Sequence, residues 1–120
     1  MRPTERADLP EIGDWYTKRD ENRPDPTIMP LIGAIEPGVA AGFLYRTDSR
    51  LALLEGFVTN PDAPLRSRHR ALRAILDWLI TYGQKQGLCL IGLCKTPGMV
   101  RFTQKRGFKY IGQYSLVNMR

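Results

Sequence analysis

Histidine occurs once in the chain, at His69, and cysteine twice, at Cys89 and Cys94. Those counts exclude a zinc site of familiar spacing, a paired-histidine metalloprotease motif and a cysteine-held cluster, each of which needs several ligands close in sequence. Cys89 and Cys94 fall in one expected strand, an odd number of residues apart, so they point to opposite faces and cannot bond to each other. They read as two buried thiols in a reducing, cytoplasmic setting. No Gly-x-Ser-x-Gly elbow and no Gly-x-x-x-x-Gly-Lys-Ser/Thr loop occurs, which removes two common catalytic and phosphate-binding signatures. Long apolar runs are missing as well. The longest, residues 51–54, 57–58 and 88–93, are too short and interrupted to span a membrane. Met1-Arg2-Pro3-Thr4-Glu5-Arg6 leads into no apolar segment of the secretory kind.

Carboxylates stop at Asp77. Residues 1–62 carry 7 Lys/Arg against 11 Asp/Glu, whereas residues 63–120 carry 11 Lys/Arg against Asp77 alone. Such asymmetry points to an anionic partner: nucleic acid, a membrane surface or a phosphorylated cofactor. A basic half that only keeps the fold soluble is the competing reading. With 120 residues, 42% of them hydrophobic, the chain is sized for one compact domain over residues 1–120 that needs no disulfide or metal.

Asp8-Leu9-Pro10-Glu11 is a helix-start pattern, with Asp8 as N-cap, proline in the first turn and Glu11 at the capping-box position. Leu9, Ile12, Trp15 and Tyr16 follow at helical spacing, and residues 2–4 precede them as a short strand. Residues 20–30 hold Pro24, Pro26 and Pro30 among charges and read as an irregular loop. Three strand-like runs come next, at 31–35, 39–46 and 51–59, joined by the turns at 36–38 and 47–49. Tight connections in succession predict an antiparallel meander. Between 65 and 86 the residues Leu65, Leu72, Ile75, Leu76, Leu79 and Ile80 form an apolar stripe of period 3.6, with Pro64 at its start and Gly87 at its end. Trp78 and Tyr82 flank that stripe as core residues. A buried strand at 88–93, a short helix at 97–106 closed by Gly107, and strands at 108–111 and 114–118 complete the chain. The result is an α/β (α+β) fold with a mixed, mostly antiparallel central sheet and helices on both faces.

With that element order, the segment Phe102-Thr103-Gln104-Lys105-Arg106-Gly107-Phe108 resembles the end of the penultimate helix in the GNAT superfamily of acyl-CoA-dependent N-acetyltransferases, where an aromatic-Tyr-x-x-x-Gly-Phe pattern is common. Glu55-Gly56-Phe57-Val58-Thr59-Asn60-Pro61 is similar to the family's fourth strand and the loop after it. Arg2-Pro3-Thr4 and Ala7-Asp8-Leu9-Pro10 resemble its first strand and helix. The resemblance covers essentially the whole chain. It implies that the fourth and fifth strands splay apart, and that the pantetheine of acetyl-CoA or CoA pairs with backbone near Phe57, Val58 and Thr59. It also implies that the pyrophosphate rests on free N–H groups at the start of the long helix.

The family's phosphate motif, Gln/Arg-x-x-Gly-x-Gly/Ala, reads here Arg66-Ser67-Arg68-His69-Arg70-Ala71. Its first and last positions fit, but His69 replaces the first glycine and narrows the cradle. Arg66, Arg68 and Arg70 offer charge in compensation. At helical spacing Arg66, Arg70 and Arg73 share a face that Arg68 does not, so all four cannot serve one ligand; the same arginines also read as a solvated basic face. Glu55, the one carboxylate between Asp48 and Asp62, is the candidate general base, with an outward-facing strand residue as the plain alternative. Thr103 stands where the family places its acidic tyrosine, and a threonine hydroxyl is far too weak an acid to replace a phenol. Thr96 replaces the asparagine that often opens that helix.

Three functions follow from this reading. The first is a small acetyltransferase whose amine acceptor enters over residues 20–30, an open side suited to a protein or peptide amine. The second is a catalytically silent fold of the same type, used to bind CoA or to dock on an assembly such as a phage particle. The last is a nucleic-acid binder, for which no recognised motif and no interleaved stacking aromatics are present. A homodimer is compatible with each.

Overall fold

A two-residue strand and a three-residue turn open the chain, and they are fixed by one ion pair. The computed structural model describes residues 1–113 and 115. Strand β1 (Arg2–Pro3) leads through a 3₁₀ turn (Arg6–Asp8) into helix α1 (Leu9–Lys18). Arg2 donates to both carboxylate oxygens of Asp8, at 2.7 and 2.9 Å, and the Glu5 N–H donates to the same group at 2.7 Å. Asp8 is therefore buried but paired. Its carboxylate does not cap α1 as expected, because Arg2 and Glu5 already occupy it; the capping box belongs to the 3₁₀ turn. Glu11 likewise reaches away from its helix and accepts from the Gly38 N–H at 3.0 Å.

The expected meander is present. Strands β2 (Ile32–Glu36), β3 (Ala40–Arg46) and β4 (Leu51–Thr59) are antiparallel neighbours, and β1 adds to the outer edge of β2. Another 3₁₀ turn (Pro26–Ile28) interrupts the proline-rich loop, its Asp25 side chain accepting from the Thr27 N–H. Helix α2 (Leu65–Lys85) returns the chain, so that strand β5 (Cys89–Gly92) lies parallel to β4. The sheet runs β1-β2-β3-β4-β5. Helix α3 (Pro97–Gln104) follows.

The sheet separates two cores. On one face Ile12, Trp15 and Tyr16 of α1 pack on Ile35, Ala41, Phe43 and Val58. Residues three and four apart on α1 make that stripe, and each such large side chain contributes about 1.5–3 kcal/mol on burial. On the other face Ala71, Ile75, Leu76 and Leu79 of α2 cover Ala34, Leu44, Ala52 and Leu54. Trp78 and Tyr82 stack at 6.0 Å and pack beside that core. Leu65 departs from the expected stripe and is exposed, since it lies in the first turn, beyond the sheet.

Gly87 (φ +69°) ends α2. The Leu88 N–H bonds to the Gly83 carbonyl at 2.9 Å and the Gly87 N–H to Gln84 at 3.1 Å, the paired bonds of a Schellman stop, which releases the chain toward β5. That strand is shorter and less buried than expected. Cys89 is exposed, and Cys94 lies past the strand and only half-buried, so neither is the buried thiol predicted. Residues 108–111 form no strand, and the strand expected over 114–118 lies outside the described residues except for Ser115. Among the described residues no helix is long and apolar enough to cross a membrane.

Candidate active site

β4 and β5 pair from Leu51 with Cys89 to Leu54 with Gly92. The Leu93 N–H still donates to the Leu54 carbonyl at 3.1 Å. Beyond that bond β4 runs on to Thr59 against β3, and no described strand covers its other edge. A fork opens there, with backbone donors and acceptors along one side.

A bulge sits at the fork. Val58 faces Ala41 and Glu55 faces Phe43, so Gly56 and Phe57 together oppose Gly42. Gly56 has φ +75°, and a β-carbon on it would lie 3.2 Å from Phe43 Cδ2. Glycine meets both demands without strain. The extra residue also reverses the side-chain alternation. Leu54 faces the α2 core, Phe57 packs against that same core, and Val58 joins the α1 core.

Glu55 shares the α1 face with its cross-strand partner Phe43. It is half-buried, and its Oε1 accepts from the Gly56 N–H at 2.9 Å. Two phenols lie close by. Burial, with Tyr45, Glu55 and Glu21 adding to it, pushes the Tyr16 hydroxyl up to about 12. Burial and then Glu55 raise Tyr45 as well. Both therefore stay neutral near pH 7 and offer hydroxyl groups that donate and accept. The Tyr45 hydroxyl approaches Met29 Sδ at 3.9 Å. Lys95, on the connection from β5 to α3, places its ammonium 5.9 Å from the Tyr16 ring centre and 3.8 Å from Glu21.

The start of α2 forms the opposite end of the site. Pro64 precedes the helix without an N–H or a side-chain cap, and the first helical bond runs from the Arg68 N–H to the Pro64 carbonyl at 3.0 Å. The N–H groups of Leu65, Arg66 and Ser67 have no partner among the described residues. Arg66, His69, Arg70 and Arg73, with Leu65, line an open concavity of about 400 Å³. Free N–H groups at a helix start beside several arginines suit a pyrophosphate by charge and by hydrogen bonding. The arginines divide as their spacing predicts: Arg68 turns back and donates to the Ala63 carbonyl at 3.0 Å. His69 lies one turn past the free N–H groups, exposed, and lines the same concavity as Arg66, Arg70 and Arg73. Ala71 is buried in the α2 core.

The remaining candidates are placed as follows. Thr96 caps α3 as expected, accepting from the Met99 N–H at 3.2 Å. Thr103 is buried, and its hydroxyl donates to the Val100 carbonyl at 2.8 Å, with Cys94 Sγ at 3.9 Å. That hydrogen is committed inside the helix, which leaves Thr103 poorly placed to deliver a proton. Phe57 packs toward α2, Val58 is buried, and Thr59 pairs with Ala40 while Arg19 of the α1 end binds its carbonyl at 3.0 Å and its hydroxyl. Only backbone is thus offered by 57–59. Sequence reasoning missed Tyr16, Tyr45 and Lys95, two of which look like core residues and one like surplus charge. A glycine inside a strand run beside a lone carboxylate is the local sign of the bulge.

No protein-family model matches the sequence, and no curated protein matches it. Solved structures do match. The Mycobacterium tuberculosis protein Rv2747, determined in complex with CoA and NLQ, superposes with a TM-score of 0.68 at 18% identity, over 97% of this chain and 75% of that one. A protein from Agrobacterium tumefaciens strain C58, assigned as an acetyltransferase, superposes with a TM-score of 0.67 at 17% identity, over 98% of both chains. At these identities the likeness concerns architecture, and the chain has a GNAT-like fold.

Proposed function

We propose that the protein is a cytoplasmic N-acyltransferase that takes an acyl group from acetyl-CoA and passes it to an amine. The observation that carries this reading is the fork. β4 parts from β5 just where Glu55 and the Gly56 bulge lie, and the same strand leads into a helix start with three free N–H groups and a flank of arginines. The CoA-bound structure of Rv2747 supports it, since the two folds superpose.

Acetyl-CoA supplies an acyl thioester. The edge of β4 at 57 and 58 would hold the pantetheine arm by backbone hydrogen bonds, and the start of α2 with Arg66, Arg70 and Arg73 would hold the phosphates. Glu55 takes the proton from the acceptor ammonium, freeing the nitrogen lone pair to attack the thioester carbon. The carbon–sulfur bond then breaks, the departing sulfur carries the electron pair, and the proton lost by the nitrogen reaches it through water. Thr103 has no part in that transfer because its hydroxyl is bound to Val100. That bond is also the observation favouring the second reading, a CoA-binding protein without turnover.

Calorimetry separates the readings. CoA and acetyl-CoA are titrated at two salt concentrations beside a short DNA duplex. Binding of CoA with formation of N-acetyl product from simple amines is expected. Absence of CoA binding at millimolar concentration overturns the proposal, CoA binding without product leaves the silent binder, and a steep salt-dependent affinity for the duplex replaces both.

A further inference from the structure

An ammonium group of the chain itself lies between the Tyr16 ring and Glu21. Lys95 Nζ lies 5.9 Å from the centre of the Tyr16 ring and 3.8 Å from a Glu21 carboxylate oxygen. An aromatic face beside a carboxylate is a corner that attracts alkylammonium ions, since the ring face and the oxygens are both electron-rich and neither donates. Tyr16 is only 8% exposed, and its hydroxyl forms no hydrogen bond with the described residues. No side-chain oxygen or nitrogen among the described residues is both sealed from solvent and unpartnered, so the Tyr16 hydroxyl keeps some contact with solvent.

The hold on Lys95 is weak. Its side chain is 63% exposed, and 3.8 Å is too long for a hydrogen bond. The other surface pairs are tighter: Lys18 meets Asp62 at 2.7 Å and Arg106 meets Asp77 at 2.8 Å. Pairs of that exposure contribute little and are readily exchanged. Glu55 and Glu21 are the carboxylates whose charge is felt at the Tyr16 hydroxyl. An incoming cation takes over the Glu21 carboxylate once Lys95 swings away.

The geometry points to an acceptor that carries a second ammonium group on an aliphatic stem, a diamine or a lysine-like side chain. Its distal ammonium displaces Lys95 from Glu21 and the Tyr16 ring, while its reacting amine faces Glu55. The part concerning Glu55 rests on the acyltransferase reading; the ammonium site does not.

The test is a titration of the whole protein, without CoA, with 1,5-diaminopentane, pentylamine and 5-aminopentanoate. The diamine is expected to bind best, about fivefold or more over pentylamine. Glu21→Gln is expected to weaken the diamine about fivefold and pentylamine, whose one ammonium can take either position, by less. Lys95→Met, which keeps the stem and removes the charge, is expected to tighten the diamine about threefold, since the internal competitor is gone. Thermal midpoints of both variants, each at an exposed position, verify folding. Tightest binding of 5-aminopentanoate, lost in Lys95→Met, overturns the inference, because Lys95 then recognises a carboxylate. Equal binding of the three ligands, no diamine binding, or no response to Lys95→Met overturns it as well. Diamine preference without acyl transfer refutes the enzyme alone, and acyl transfer without diamine preference refutes the ammonium site alone.

Discussion

The Glu55 carboxylate accepts a hydrogen bond at 2.9 Å from the N–H of Gly56, the residue that follows it. The candidate base is thereby anchored to the bulge that opens the fork. Glu55→Gln keeps this bond, because an amide oxygen also accepts. The expected outcome is a fall in kcat of about 10²–10⁴-fold with CoA affinity unchanged. Steady-state acyl transfer beside CoA calorimetry checks it, and an unaltered kcat removes Glu55 as base.

Gly56→Ala tests the bulge. The left-handed backbone and the contact of 3.2 Å with Phe43 combine, and a loss of about 1–3 kcal/mol is expected in urea unfolding. Gly87→Ala serves as reference, since a β-carbon there meets nothing within 4 Å and costs about 1 kcal/mol of backbone strain alone. Equal losses at both positions refute the packing part of the argument.

The arginines of α2 separate by role. Arg70→Ala and Arg73→Ala, on the open concavity, are each expected to weaken CoA binding about fivefold, by an amount that shrinks as salt is added. Arg68→Ala removes the bond to the Ala63 carbonyl. It is expected to lower the thermal midpoint and spare CoA affinity. The reverse pattern would move the phosphate site to the Arg68 side of the helix.

Asp8 ties stability to acid. Its carboxyl is held below the usual carboxylate range, first by the Arg2 side chain and then by the Glu5 N–H, against the opposing effect of burial. A lowered native pKa stabilises the fold above the unfolded value, and that contribution is lost as pH falls through the native one. Wild type should thus exceed Asp8→Asn in urea midpoint at neutral pH, with the gap closing below about pH 4. A constant gap across that range would refute the linkage.

Tyr16 ties stability to alkali in the opposite sense. Its native pKa of about 12 exceeds the ordinary 10, so the unfolded chain ionises first. Stability contributed by the neutral phenol is complete below pH 10 and is lost as pH rises toward 12. Tyr16→Phe is expected to unfold less steeply across that window, followed by circular dichroism.

Much of the frame was legible because it depends on neighbours in sequence. Thr96 caps α3, Gly87 stops α2, and the run 51–59 is β4 to the residue. Contacts across the fold decided the rest. Asp8 satisfies every local rule for a helix cap, yet Arg2 holds it, once β1 has paired with β2. Tyr16 obeys helical spacing and counts as core, and only the third dimension sets its hydroxyl beside Glu55. Thr103 stands at a catalytic position by motif, and only the α3 backbone shows its hydroxyl turned inward.

The parallel ladder between β4 and β5 ends after Leu54 and Gly92, which, among the described residues, makes β4 an interior strand for one half of its length and a border strand for the other. Border backbone in an extended conformation recruits further strands, including those of sister molecules. A ligand that occupies this edge consequently acts as a shield against self-association. If CoA binds along this edge, preparations holding it are expected to resist β-rich self-association better than the ligand-free protein, a difference that light scattering would register.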